Sequence, residues 1–189
     1  MGMPPVQTRR FTRAEYDRLI EYGVLHEDDP VELLDGRLVV SEPQGGRHAT
    51  AILRARRALE RAFSRGHHVR DQMPIILDEA SEPEPDVFVV RGRETAYGDN
   101  HPTSAVLVVE VADSSLTQDR VGKGGVYARA GIAEYWIVNL VTGVLEVYRE
   151  PVRVGKRWKY RRVTRLKRGA TVSPLGAPRA RIRVADLLL

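Results

Sequence analysis

Two carboxylates stand where apolar side chains are expected. The run DVFVV opens on Asp86, and the run AVLVVEV is interrupted by Glu110. Both runs have the Val-rich composition and length of strands buried on two faces. A carboxylate in such a strand costs several kcal/mol unless a metal ion or a paired cation neutralises it. Neighbouring strands lie about 4.8 Å apart, so acids on adjacent strands can share one divalent cation. The chemistry open to such a pair is that of a shared divalent metal ion. Mg²⁺ keeps several of its waters, touches phosphate directly and stabilises attacking and leaving oxygens.

The segment after Glu110, ADSSLTQDRVGKGGVYARAG, reads as a loop and a helix, with Ser115 and Gln118 as a capping box and Gly131 as the stop. Asp119, Lys123 and Tyr127 lie four apart and share a face. The interior glycines Gly122, Gly124 and Gly125 each cost about 1 kcal/mol relative to alanine, so this helix depends on close packing against the sheet. Lys123 projects towards the strand ends; the alternative is a surface lysine paired with Asp119.

These residues resemble the PD-(D/E)XK nuclease superfamily, whose pattern is Pro-Asp on one strand and Glu-x-Lys on the next. Pro85-Asp86 fits the first part, and Glu110-Val111-Ala112 fits the second except that Ala112 stands in place of lysine. A closer resemblance is to a bacterial family labelled "putative restriction endonuclease" (the Uma-two family). That family also lacks this lysine and carries a lysine and a tyrosine on the following helix, then a Gly-hydrophobic-x-Glu-Tyr-Trp segment. Lys123, Tyr127 and GIAEYWIVN follow in that order. The resemblance covers roughly Phe11 to Tyr148 and implies a restriction-endonuclease-like α/β (α+β) fold, a mixed sheet flanked by helices. It implies Asp86 and Glu110 as ligands of Mg²⁺ or Mn²⁺, with Glu32 as an outer or second-metal ligand. Lys123 then replaces the missing lysine, and Tyr127 orients Lys123 or binds phosphate. His48 is near the site by the same resemblance, or else a satisfied core histidine. Asp113 departs from the family's hydrophobic-hydrophobic-Ser-Pro-Ser sequence after the glutamate; it either adds a ligand or weakens phosphate binding. Asp119 is a further auxiliary acid.

The rest of the chain supplies the frame. FTRAEYDRLIEY has helical spacing, with Thr12 and Glu15 as a capping box. VELLDGRLVV reads as a hairpin turning at Asp35-Gly36, with Glu32 in its first strand. A long amphipathic helix follows the glycines Gly45-Gly46. Ile52, Ala55, Leu59, Ala62 and Phe63 form its stripe, and Arg54, Arg57, Arg61 and Arg65 its outer row. HHVRDQMPIIL gives two short extended segments, in which His67 and His68 point to opposite faces. Residues 91–103 read as a polar loop overhanging the site. EYWIVN is another buried strand, and VTGVLEVYRE a turn at Thr142-Gly143 with a strand. The tail alternates basic and apolar residues to Val163, then reads as irregular. The apolar end Leu187-Leu188-Leu189 is a subunit contact or the last piece of core.

The 189 residues suit a single domain over residues 11–189 behind an N-terminal tail of residues 1–10. With no cysteine, disulfides and thiolate metal sites are excluded. No apolar run approaches a membrane span and no secretory leader opens the chain, so the expected location is the cytoplasm. A net charge of +5, a pI near 9.7 and the crowding of Arg and Lys between Arg149 and Arg183 suit a nucleic-acid partner, DNA in the first instance, or simply a solvated face. Cutting both strands of a duplex is simplest from a homodimer. A metal-dependent DNA endonuclease competes with a non-catalytic nucleic-acid-binding or protein-interaction module on the same fold. An enzyme acting on a small acidic metabolite fits poorly, since no Gly-rich phosphate loop is present.

Overall fold

A computed structural model describes residues 8–26, 28–41, 44–63, 66–98 and 100–189. Arg65 and all but three residues of the N-terminal tail lie outside them. The expected mixed sheet is present, with six strands in the order β3-β4-β5-β6-β7-β8. These are β3 (His67–Arg70), β4 (Val87–Arg91), β5 (Leu107–Ala112), β6 (Glu134–Asn139), β7 (Val144–Val154) and β8 (Arg157–Lys167). Only β5 and β6 run parallel, joined by the helical crossover; the other pairs are antiparallel.

Strand alternation divides the core into two layers. Val87, Val89, Val109, Val111, Trp136 and Val138 face helix α2 (Gly46–Ala62). Phe88, Val90, Val108, Ala112, Tyr135 and Ile137 face the helix α3 (Gly124–Arg129). Glu110 shares the parity of Val108 and Ala112, so it projects into the α3 layer. Ala51, Ile52, Ala55, Ala58 and Leu59 seat α2 on the sheet. Leu187 and Leu188 are buried in the same layer, and Arg54 donates to the Leu188 carbonyl. Leu187 and Leu188 of the apolar C-terminus are therefore core.

The hairpin of β1 (Val31–Leu34) and β2 (Arg37–Val40) forms its own sheet. Its turn residues Asp35 and Gly36 both have positive φ, 51° and 73°, as a two-residue type I′ turn requires. The helix α1 (Arg13–Glu21) carries the expected Thr12/Glu15 capping box, and the Tyr16 hydroxyl donates to the Val31 carbonyl. A last pair, β9 (Thr171–Val172) and β10 (Ile182–Arg183), closes the chain.

Three expectations need correction. The tail does not become irregular after Val163: β8 continues to Lys167 because Val144 and Leu145 of β7 still pair with it. Ser115 does not cap its helix; its hydroxyl donates to the Asp119 carboxylate at 2.5 Å. Finally, β4 runs away from Asp86, so the segment beginning at Gly92 leaves the opposite end of the sheet. None of its described residues lines the site, and part of it forms a short 3-10 turn at Glu94–Tyr97.

Candidate active site

The antiparallel register that sets Val87 beside Val109 places Asp86 next to Glu110. Backbone donors fix both acids: the Asp86 N–H donates to Glu110 Oε2 at 3.2 Å, and the Val111 N–H to Asp86 Oδ2 at 2.7 Å. Glu110 is buried, and Asp86 opens towards a cleft of ≈ 880 Å³.

Lys123 reaches this pair from above. Gln118–Lys123 is a π-helical turn that runs directly into α3. Such turns collect at functional sites because the widened turn re-aims side chains. Gly124 allows the close seating: an added Cβ would lie 3.2 Å from the Asp119 carbonyl and 3.6 Å from the Tyr135 ring. Lys123 is only 8% exposed, and its Nζ stands 3.1 Å from both Glu110 Oε1 and Glu32 Oε1. It is not the surface lysine of the alternative reading. Ala112, two residues beyond Glu110 and on the same face, is fully buried beneath this helix. The helix thus fills the room a lysine at 112 would need, while delivering an ammonium to Glu110.

The remaining candidates converge with two qualifications. Glu32 comes in on β1, buried, with its other oxygen accepting from the Glu84 N–H at 3.1 Å. Both Glu32 oxygens are thus engaged, as both Glu110 oxygens are, and Lys123 joins the two carboxylates. Tyr127 is fully buried and donates to Glu110 Oε1 at 2.6 Å, so it holds the glutamate and does not present its hydroxyl to phosphate. His48, near the start of α2, has Nε2 3.1 Å from Asp86 Oδ1, which favours the site over the core. Asp119 faces the same cleft, as does Asp113, whose Oδ1 lies 3.8 Å from Arg47. His67 packs edge-on against Phe63, away from these residues.

Charge is out of balance here. Eight of the residues lining the cleft are Asp or Glu, against Lys123 and His48. Burial pushes the Glu110 carboxyl well above the usual range; Lys123 opposes this, and Asp86, Asp119 and Glu32 reinforce it. Burial likewise raises Asp119 to about 6, against the pull of Lys123 and the Ser115 hydrogen bond. Burial alone would lower Lys123, but Glu110 and Glu32 outweigh it and hold the ammonium charged. The hydrogen bond to Asp86 raises His48.

Sequence reasoning missed Glu84. It lines the cleft, and burial together with Glu32 raises its carboxyl to about 7. The signal was available: in Glu84-Pro85-Asp86 the two acids stand at i and i+2, on one side of an extended segment. Arg129 was also missed. It leaves α3 to bond Asp35, Asp78 and Ser81, tying the helix that carries Lys123 to the hairpin that carries Glu32.

Among the described residues, no group of three or more His, Asp or Glu side chains is arranged to hold a metal ion unaided. Mg²⁺ does not need such a cage, since one or two carboxylates with waters and substrate phosphate suffice. Two hard oxygen donors on adjacent strands, in a cleft with surplus negative charge, fit that requirement.

The family described as "Putative restriction endonuclease", Uma2, matches residues 13–185. The chain belongs to that family. Among solved structures, "a putative nuclease belonging to DUF820" from Anabaena variabilis superposes with a TM-score of 0.67. The alignment covers 89% of this chain and 96% of that one at 15% identity, a likeness of fold. No curated protein matches. The family reading accords with the nuclease-like fold. No helix among the described residues is long and apolar enough to cross a membrane.

Proposed function

We propose that this Uma2 protein is a metal-dependent endonuclease that hydrolyses phosphodiester bonds, with DNA as substrate. The observation that carries the reading is the Lys123 ammonium at 3.1 Å from Glu110 and from Glu32, at the floor of an acidic cleft. An ammonium has three N–H donors, and these two contacts leave one for an attacking water or a phosphate oxygen. Lys123 therefore supplies what Ala112 cannot. Asp86 and Glu110 would hold Mg²⁺ or Mn²⁺, which when bound polarises phosphate and lowers the pKa of a coordinated water. Glu32 orients Lys123, Tyr127 orients Glu110, and His48 braces Asp86. A homodimer would present two such sites to the two strands of a duplex.

The test is direct. Millimolar Mg²⁺ or Mn²⁺ raises the melting temperature by mass action on the native state, and Asp86→Asn removes the rise. Plasmid DNA is nicked in Mn²⁺ by the parent protein and not by Asp86→Asn. A melting temperature indifferent to metal, with no nicking, overturns the reading in favour of a non-catalytic binding module.

A further inference from the structure

The cleft attracts no polyanion by itself, since its acids outnumber its cations. If phosphodiesters are hydrolysed there, a premise taken from the proposed function, the backbone must be gripped by cations outside it. Sheet register shows where. Val87 pairs with Val109, Glu110 with Ile137, Ile137 with Glu146 and Glu146 with Arg165. Glu110, Ile137, Glu146 and Arg165 thus form one cross-strand row on the α3 face. Arg165 stands three strand spacings from Glu110, about 14 Å. One step further along β8, on the same face, is Lys167, level with Asn139 and Ala112.

This end of the row carries net positive charge. Arg120, from the π-helical turn above it, donates through Nε to Glu146 Oε2 at 3.0 Å. Arg165 Nε is 3.9 Å from Glu146 Oε1, with its side chain 64% exposed. One carboxylate therefore faces two guanidiniums, and the exposed Lys167 adds a third cation. The other basic cluster on β8 is differently placed. Arg157 and Lys159 lie at the far end of the strand, Arg157 ten residues and about 33 Å from Lys167. There the β7–β8 ribbon runs past the end of β6 and bends at Glu150, φ 62°, with Trp158 and Tyr160 packing into the α3 layer.

We infer that Arg165 and Lys167, with Arg120 beside them, form a phosphate-binding track that leads the nucleic-acid backbone into the Lys123 cleft. Successive phosphates of one strand advance about 3.4 Å along the duplex axis and lie further apart through space, so the track engages phosphates at most about four steps from the one at Lys123. The basic residues of β8 then have two roles. Those at the site end bind substrate. Those at the ribbon end keep a long edge strand from pairing with another chain.

The test compares two exposed pairs in the full-length chain: Arg165→Ala with Lys167→Ala, and Arg157→Ala with Lys159→Ala. Binding of a fluorescein-labelled 30-base-pair duplex is followed by anisotropy across a salt titration, in EDTA and again in Mg²⁺. Loss of two phosphate contacts makes the log–log salt dependence shallower by about 2 and weakens low-salt affinity at least tenfold. The ribbon-end pair changes neither by more than about twofold. Equal loss from both pairs, or no loss from the site-end pair, overturns the track. Plasmid nicking separates this from the premise: a site-end variant that binds and nicks like the parent refutes the track and leaves the nuclease reading standing. A parent that nicks nothing refutes the nuclease reading, while the binding data still judge the track.

Discussion

Glu110 and Glu146 sit on the same row of the same sheet, two strands apart, and both are buried in it. Their surroundings oppose one another. Glu146 accepts hydrogen bonds from Arg120, Asn139 and Tyr148, and these overcome the cost of burial and hold its carboxyl down at about 2. Glu110 accepts from Tyr127 and the Asp86 N–H and shares its one cation with Glu32, and burial drives its carboxyl up. A buried acid that owns its donors belongs to the frame. A buried acid among other acids carries charge that its shared cation does not match, and that sets Glu110 apart. Fold-level similarity does not make this distinction; whether the carboxylate shares its cation with another acid does.

The largest effect expected from breaking the contrast is at Lys123. Groups that stabilise developing charge or move a proton contribute about a hundred- to ten-thousand-fold. Lys123→Ala should lower plasmid nicking in Mn²⁺ by that factor. Wild-type rates in Lys123→Ala would rule out the relocated lysine. Adding Ala112→Lys should not restore activity, because position 112 is fully buried under the helix and a lysine there would disrupt packing.

Next comes Glu146. Glu146→Ala strands the Tyr148 hydroxyl and the Asn139 amide, each worth about 1–3 kcal/mol when left unpaired, so about 3 kcal/mol of stability should go. The pH arm has a definite sign. The folded value near 2 lies below the reference 4.5, so Glu146 contributes fully above about 4.5 and loses its contribution as pH falls towards 2. Chemical denaturation of parent and Glu146→Ala should therefore converge in that acid window. Curves that stay parallel down to pH 2 would show that Glu146 is not the charged anchor described here.

How far this contrast was legible in the sequence follows from which interactions are local. Val-rich runs of period two announced β4, β5 and β6, and a positive-φ Asp-Gly pair announced the hairpin that brings Glu32. The order Pro85-Asp86, Glu110, Lys123, Tyr127 announced the family. Local pattern could not announce the π-helical turn, since Ser115 was free to cap but bonded Asp119 instead. Nor could it separate Glu110 from Glu146. Each is an acid in a Val-rich strand, and the cation that separates them, Arg120, arrives from the π-helical turn 26 residues before Glu146, a non-local contact. The same limit hid the alignment of Arg165 with Glu110.

The smallest expected effect sharpens the comparison from the side of the site. Asp119 is 3% exposed and its carboxylate accepts, among the described residues, a hydrogen bond from the Ser115 hydroxyl, which an asparagine oxygen could accept equally well. Its carboxyl is raised from 3.8 to about 6, first by burial and then by Asp86 and Glu32, against Lys123 and Ser115. A raised folded value means that the native state prefers the proton, so ionisation costs stability as pH climbs from about 4 to 6. Asp119→Asn should therefore match the metal-free parent below about pH 4, pull ahead through that window, and stay ahead above it. An advantage of about 2 kcal/mol corresponds to roughly 4–8 °C in melting temperature for a chain of this size. Glu146, whose charge is matched, should show the opposite sign when neutralised to glutamine. If Asp119→Asn is no more stable than the parent at pH 8, the cleft is balanced by contacts other than those described, and the case for an added cation weakens with it.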